Sequence, residues 1–72
     1  MNELKCVYDK SLMDKLEKRI STIYPKEALS IIDVRDDEDN DFVSFTVRYY
    51  SPDWLVCLGK EMQYVRTYFK IL

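Results

Sequence analysis

Six of the nine residues from Asp33 to Asp41 are acidic. Carboxylates packed this closely can ligate a hard cation or imitate the phosphates of a nucleic acid. Asp37, Asp39 and Asp41 have the spacing of the first three ligands of a helix-loop-helix calcium loop. The rest of that loop is missing: Phe42 stands where the glycine is needed and Arg48 where the bidentate glutamate belongs. The run also joins two strand-like segments, not two helices. The reading preferred for Asp36, Asp37, Glu38, Asp39 and Asp41 is therefore a solvated hairpin turn that offers a partner negative charge and binds no metal.

Arg48, Tyr50, Tyr64, Arg66 and Tyr68 form a second group. Tyr and Arg are enriched where protein interfaces concentrate their binding energy. The same residue types stack bases and hold the backbone of single-stranded nucleic acid. Chemistry of the bond-breaking kind has less to work with. The chain has no His, the commonest general base near neutral pH. Gly59 is its only glycine, so no phosphate-cradling loop can form. Its Ser, Cys and Lys residues lie outside any nucleophile motif. The chain is expected to be no enzyme and to need no cofactor.

These groups must be positioned by a small set of elements. Residues 3–8 alternate, with Leu4, Cys6 and Tyr8 on one side, which predicts a strand. Ser11 offers a helix cap, with Asp14 three residues on. Leu12, Leu16, Ile20 and Ile23 then recur on one helical face. Pro25 forces Tyr24 out of the helical region, so the helix is expected over 12–23. Residues 28–35 are β-rich but do not separate into two clean faces, which suits an edge strand. After the acidic turn, Val43, Phe45, Val47 and Tyr49 alternate with Ser44, Thr46, Arg48 and Tyr50 over 42–50. That alternation predicts the second strand of a hairpin.

The C-terminal third reads two ways. Ser51-Pro52-Asp53 is a helix start. Leu55, Leu58, Met62, Val65, Phe69 and Leu72 fit one long helix. Alternatively the helix stops near Leu58, with Gly59 as its left-handed terminal residue, and a strand runs from Met62 to Ile71. The β-formers Tyr64, Val65, Thr67, Tyr68, Phe69 and Ile71, and the cost of about 1 kcal/mol for a mid-helix glycine, favour helix-then-strand. The expected fold is α+β, a ferredoxin-like β-α-β-β-α-β sandwich with a four-stranded antiparallel sheet and both helices on one face. The alternative is β-α-β-β-α with a long C-terminal helix and three strands. In the preferred fold Lys5, Arg48, Tyr50, Tyr64, Arg66, Tyr68 and Lys70 share the open face of the sheet.

Seventy-two residues make one domain. Forty-seven per cent hydrophobic residues with a single glycine describe a globular chain with few loops. A net charge of −2 argues against a bulk nucleic-acid binder. Cys6 and Cys57 fit neither a metal motif nor a disulfide framework and read as reduced core thiols. No apolar run is long enough to cross a membrane, and the N-terminus lacks a signal-peptide pattern. A complete, cytoplasmic protein is expected.

Pro52-Asp53-Trp54-Leu55-Val56-Cys57-Leu58-Gly59, with a strand expected around Val65, resembles the C-terminal extension that follows WYL domains in bacterial transcription regulators. There a β-α-β-β order leads to a short helix with an aromatic-Leu pair, a Leu/Phe-Gly stop and a final strand. Trp54, Leu55, Leu58 and Gly59 carry the likeness. The chain departs from it in having no WYL domain in front and no proline after the last strand. The resemblance implies a ferredoxin-like fold and a role in regulation or assembly; it assigns no functional residues.

The function expected first is a small interaction protein that inhibits or regulates a larger protein partner. Short, acidic, His-poor chains of this kind are encoded by phages and mobile elements against host or defence systems. A ligand-sensing module of a transcription regulator and a single-stranded nucleic-acid binder are the alternatives. The open sheet face is also expected to suit a symmetric dimer.

Overall fold

The computed structural model describes residues 2–36 and 41–70. Strand β1 (Asn2–Asp9) leads through a 3-10 turn (Lys10–Leu12) into helix α1 (Met13–Ile23). Strands β2 (Leu29–Asp36) and β3 (Phe42–Tyr49) follow, and helix α2 (Asp53–Lys70) closes the chain. The sheet is antiparallel in the order β1-β3-β2, with β3 at its centre.

Alternation in β3 decides which side is covered. Val43, Phe45 and Val47 are buried, and Ser44 and Arg48 are exposed. Across the register, Tyr8, Cys6 and Leu4 oppose Val43, Phe45 and Val47, while Leu29 and Ile31 oppose Tyr49 and Val47. These residues line the helix-covered face. Leu12, Met13, Leu16 and Ile20 from the first helical segment and Leu58 and Val65 from α2 complete one core. Burying such side chains is the main force holding a chain of this size together, at about 1.5–3 kcal/mol for each large one.

The helix starts at Met13, one residue later than expected. Leu12, not Ser11, stands at the N-cap, and no side chain caps it. Ser11 falls instead inside the 3-10 turn. The stop is as Pro25 requires: Tyr24 is extended, at φ −111° and ψ 140°, and its N–H still donates to the Ile20 carbonyl at 3.0 Å. The blurred faces of β2 have a structural cause. The register with β3 slips between Ile32 and Arg35, and Asp33 adopts φ 51°, a bulge on an edge strand.

The expected fourth strand is not formed among the described residues, so the ferredoxin-like order gives way to the three-stranded alternative. Residues 62–70 are helix, continuous with Asp53. Packing overrides strand propensity here. Trp54, Leu55, Leu58, Met62 and Val65 recur at helical spacing and meet the sheet and α1. A strand would have given up that common face. Gly59 is no helix stop: it lies mid-helix without positive φ. The resemblance to the WYL-associated extension therefore fails at its two most distinctive points, the glycine stop and the final strand.

No helix of the described residues is long and apolar enough to cross a membrane.

Candidate functional site

Conversion of residues 62–70 from strand to helix moves three of the residues singled out in the sequence. Tyr64, Arg66 and Tyr68 leave the open sheet face and stand on α2. The turn of the helix separates them further. Tyr64 and Tyr68, one turn apart, stack with ring centroids 4.5 Å apart. Arg66 points elsewhere: its Nε lies 3.7 Å from Asp9 and its guanidinium 5.4 Å from the Tyr8 ring centroid. Arg66 fastens α2 to the end of β1.

The open face keeps Arg48, whose Nε donates to Glu3 at 3.0 Å. Lys5, Ser44, Thr46 and Arg35 complete a shallow, mixed-charge trough of about 500 Å³. Tyr50 lies just past the end of β3 and is 73% exposed. Tyr64 and Tyr68 are absent from this face, so the expected Tyr/Arg platform on the sheet is not assembled. Of the acidic turn, Asp36 pairs with Lys10 at 3.0 Å, and the Asp41 carbonyl accepts the Lys10 N–H at 2.9 Å. Asp37, Glu38 and Asp39 lie outside the described residues. Among the described residues no three His, Cys, Asp or Glu side chains are grouped to hold a metal.

The rings regroup against α1. The two helices run antiparallel: Tyr24, just past the end of α1, meets Trp54 at the start of α2 edge-on at 6.0 Å. Farther along, Arg19 forms an ion pair with Glu61. Near the other end, Lys15 Nζ lies 5.4 Å from the Phe69 ring centroid. One stripe of α1, Lys15, Lys18, Arg19 and Thr22, thus borders Glu61, Tyr64 and Phe69 of α2, with Tyr68 stacked behind Tyr64. Between the helices runs an open groove of about 580 Å³, lined by Lys15, Lys18, Arg19, Ile23, Tyr64 and Phe69.

Its electrostatics are unequal from residue to residue. Arg19 is held on two sides, by the nearly buried Glu61 carboxylate and by the Tyr64 ring, 3.7 Å from its guanidinium carbon. The hydrogen bond to Glu61 raises the guanidinium above its ordinary pKa. Arg19 therefore holds Tyr64 in place and has little charge to offer a ligand. Lys15 and Lys18 are exposed and supply the groove's positive charge, with the exposed Asp14 carboxylate in the same lining. Burial pushes the Tyr24 hydroxyl above the ordinary phenol value, and with the Trp54 contact it closes the other end of the seam.

In the sequence Phe69 stands out as a β-former of the expected final strand, and Lys15, Lys18 and Arg19 lie off the apolar face of the first helix. A signal was available. Lys15, Arg19 and Thr22 lie at i, i+4 and i+7, and Glu61, Tyr64 and Tyr68 at i, i+3 and i+7. Each is a stripe at helical period, but the second is visible only if residues 61–68 are read as helix. Compared with models of known protein families, with curated proteins and with solved structures, the chain matches none.

Proposed function

We propose that the chain is a non-catalytic recognition protein that engages a larger protein partner through the α1–α2 seam. One observation carries this reading: Tyr64, Tyr68 and Phe69 stand together beside Lys15 and Lys18 on two locked helices, outside the buried core. Tyr68 is 61% exposed, so its ring adds little to folding. Aromatic rings fixed at an exposed site and bordered by charge are what protein interfaces use as anchors.

The groove also suggests the chemistry of its partner. Ile23, Tyr64 and Phe69 suit an apolar or aromatic anchor, and Lys15 and Lys18 suit acidic residues beside it. With Arg19 neutralised by Glu61, the positive charge is small. That fits a short acidic segment better than a phosphate backbone, which is tracked by many cations. Inhibition or regulation of the partner, in a phage or mobile element acting on a bacterial host or its defences, extends this reading. It is supported by the chain's size and composition alone.

The test is to purify a partner captured from bacterial lysate and titrate it with three proteins: wild type, Tyr64→Ala/Tyr68→Ala, and Asp36→Asn/Asp37→Asn/Asp39→Asn. The seam variant is expected to bind about 30-fold more weakly or worse, as truncated anchors cost about 2 kcal/mol or more. The acidic-turn variant is expected to change association rate and salt dependence more than affinity. A folded seam variant that binds as tightly as wild type contradicts the assignment. Preference of the same groove for single-stranded nucleic acid would replace it.

A further inference from the structure

We propose that the free edge of β1 pairs antiparallel with β1 of a second copy, joining two three-stranded sheets into one six-stranded sheet. The hydrogen bonds of β1 to β3 decide which of its backbone groups face outward. Lys10 and Asp41 continue the β1–β3 register, and the Lys10 N–H donates to the Asp41 carbonyl at 2.9 Å. Even-numbered residues of β1 therefore turn their N–H and C=O groups toward β3. Those of Glu3, Lys5 and Val7 point away from the sheet and have no strand beside them among the described residues.

The two edges of the sheet differ in their protection. The β2 edge carries a bulge at Asp33, a common device against unwanted pairing. The β1 edge pairs with β3 from Asn2 to Asp9 without a slip and contains no proline. It exposes apolar side chains as well: Val7 is 63% and Leu4 43% accessible. Its safeguards are two exposed charges, Glu3 and, in mid-strand, the cation Lys5. Such a charge repels ordinary strands unless the incoming strand brings an acid opposite it.

A second copy brings that acid. With the two-fold axis at Leu4, Glu3 lies opposite Lys5 of the other chain and Lys5 opposite its Glu3. Both are pairs of outward-facing residues, as the hydrogen-bonding pattern requires. Leu4 meets its own counterpart at the close, non-hydrogen-bonded position, and Asn2 meets Cys6. Neighbouring registers are worse. An axis at Lys5 sets lysine against lysine, and one at Cys6 sets Glu3 against Asp9. An axis at Val7 sets Lys5 against Asp9, whose side chain is only 16% exposed beneath Arg66, whereas Glu3, although bonded to Arg48, is 50% exposed and can reach a second cation. Charge thus selects one self-complementary register, and the occupant is a copy of this chain. The interface lies at the sheet's edge and leaves the α1–α2 seam open.

Sedimentation equilibrium on the whole chain, across micromolar to millimolar concentration, tests the pairing. Wild type is expected to show a monomer–dimer equilibrium. Lys5→Glu sets carboxylate against carboxylate at both cross-strand pairs, and Glu3→Lys sets ammonium against ammonium. Each variant alone should therefore associate about tenfold more weakly or worse. Mixed together, the two variants regain complementary pairs, and a heterodimer of wild-type strength is expected. Circular dichroism establishes that each variant is folded. A monomeric wild type at all concentrations overturns the proposal. So does a dimer that both variants preserve, or a mixture that fails to recover.

Discussion

Gly59 shows how one residue can be read in opposite senses. As a helix terminus it would need a left-handed backbone, and alanine there would introduce strain. In the structure it is exposed in mid-helix, has no positive φ, and a Cβ added to it would meet nothing within 4 Å. Gly59→Ala is therefore expected to stabilise the protein by about 0.5–1 kcal/mol. Thermal unfolding should show a rise of several degrees, and a fall would indicate a terminal, left-handed glycine. Tyr8 gives a second residue-scale test. Its ring is buried in the core, and its hydroxyl donates to the Met62 carbonyl at 2.6 Å, tying β1 to α2. Near neutral pH, Tyr8→Phe should cost about 0.5–1.5 kcal/mol. Burial raises the Tyr8 pKa above the ordinary phenol value, outweighing the opposing effect of Arg66. The folded state thus holds its proton to higher pH than the unfolded chain. The stability this supplies is complete below the unfolded phenol pKa and is lost as pH rises through the folded one. Urea midpoints measured at neutral and alkaline pH should show the gap between wild type and Tyr8→Phe closing on the alkaline side.

At the scale of elements, β1, α1 and β3 were legible because each repeats its own period without competition, and β2 was legible from its β-branched residues rather than from a period. Leu4, Cys6 and Tyr8 alternate; Leu12, Leu16 and Ile20 follow the helix; Val43, Phe45 and Val47 alternate again. Pro25 marked the end of α1 by sterics alone. α2 was not legible in the same way, because its sequence carries two periods at once. Val65, Thr67 and Phe69 alternate, while Leu58, Met62, Val65 and Phe69 follow the helix. Intrinsic propensity favoured the strand by a few tenths of a kcal/mol per residue. Tertiary contact reversed the balance. Only as a helix can Val65 be buried while Glu61 reaches Arg19 and Tyr64 stacks on Tyr68. The partners that α2 meets lie far from it in sequence, so no local window contains them. The candidate site failed to appear in the sequence for the same reason. Tyr64 and Tyr68 were singled out by type, but Lys15, Lys18 and Arg19 become their neighbours only across an antiparallel helix pair. The loss of a fourth strand has a further consequence at this scale: it leaves β1 as an edge, and an edge carrying Glu3 and Lys5 two residues apart is complementary to itself.

For the whole molecule, one decision governs the rest. A C-terminal strand would have made a four-stranded sheet with an aromatic open face and a closed β1 edge. A C-terminal helix makes a three-stranded sheet, an open face without Tyr64 and Tyr68, an aromatic-basic seam between two helices and an open β1 edge. Both surfaces proposed to recognise partners exist only in the second molecule. The measurement that bears most directly on this is the backbone and Cβ chemical shifts of residues 53–70 in the isotopically labelled protein, with long-range proton contacts from the same sample. Helical shifts are expected to run unbroken through Gly59 to at least Phe69, with contacts from Met62 and Arg66 to Tyr8 and from Tyr64 to Arg19. Extended shifts after Gly59, with cross-strand contacts from residues 62–70 to residues 3–8, would contradict the C-terminal helix.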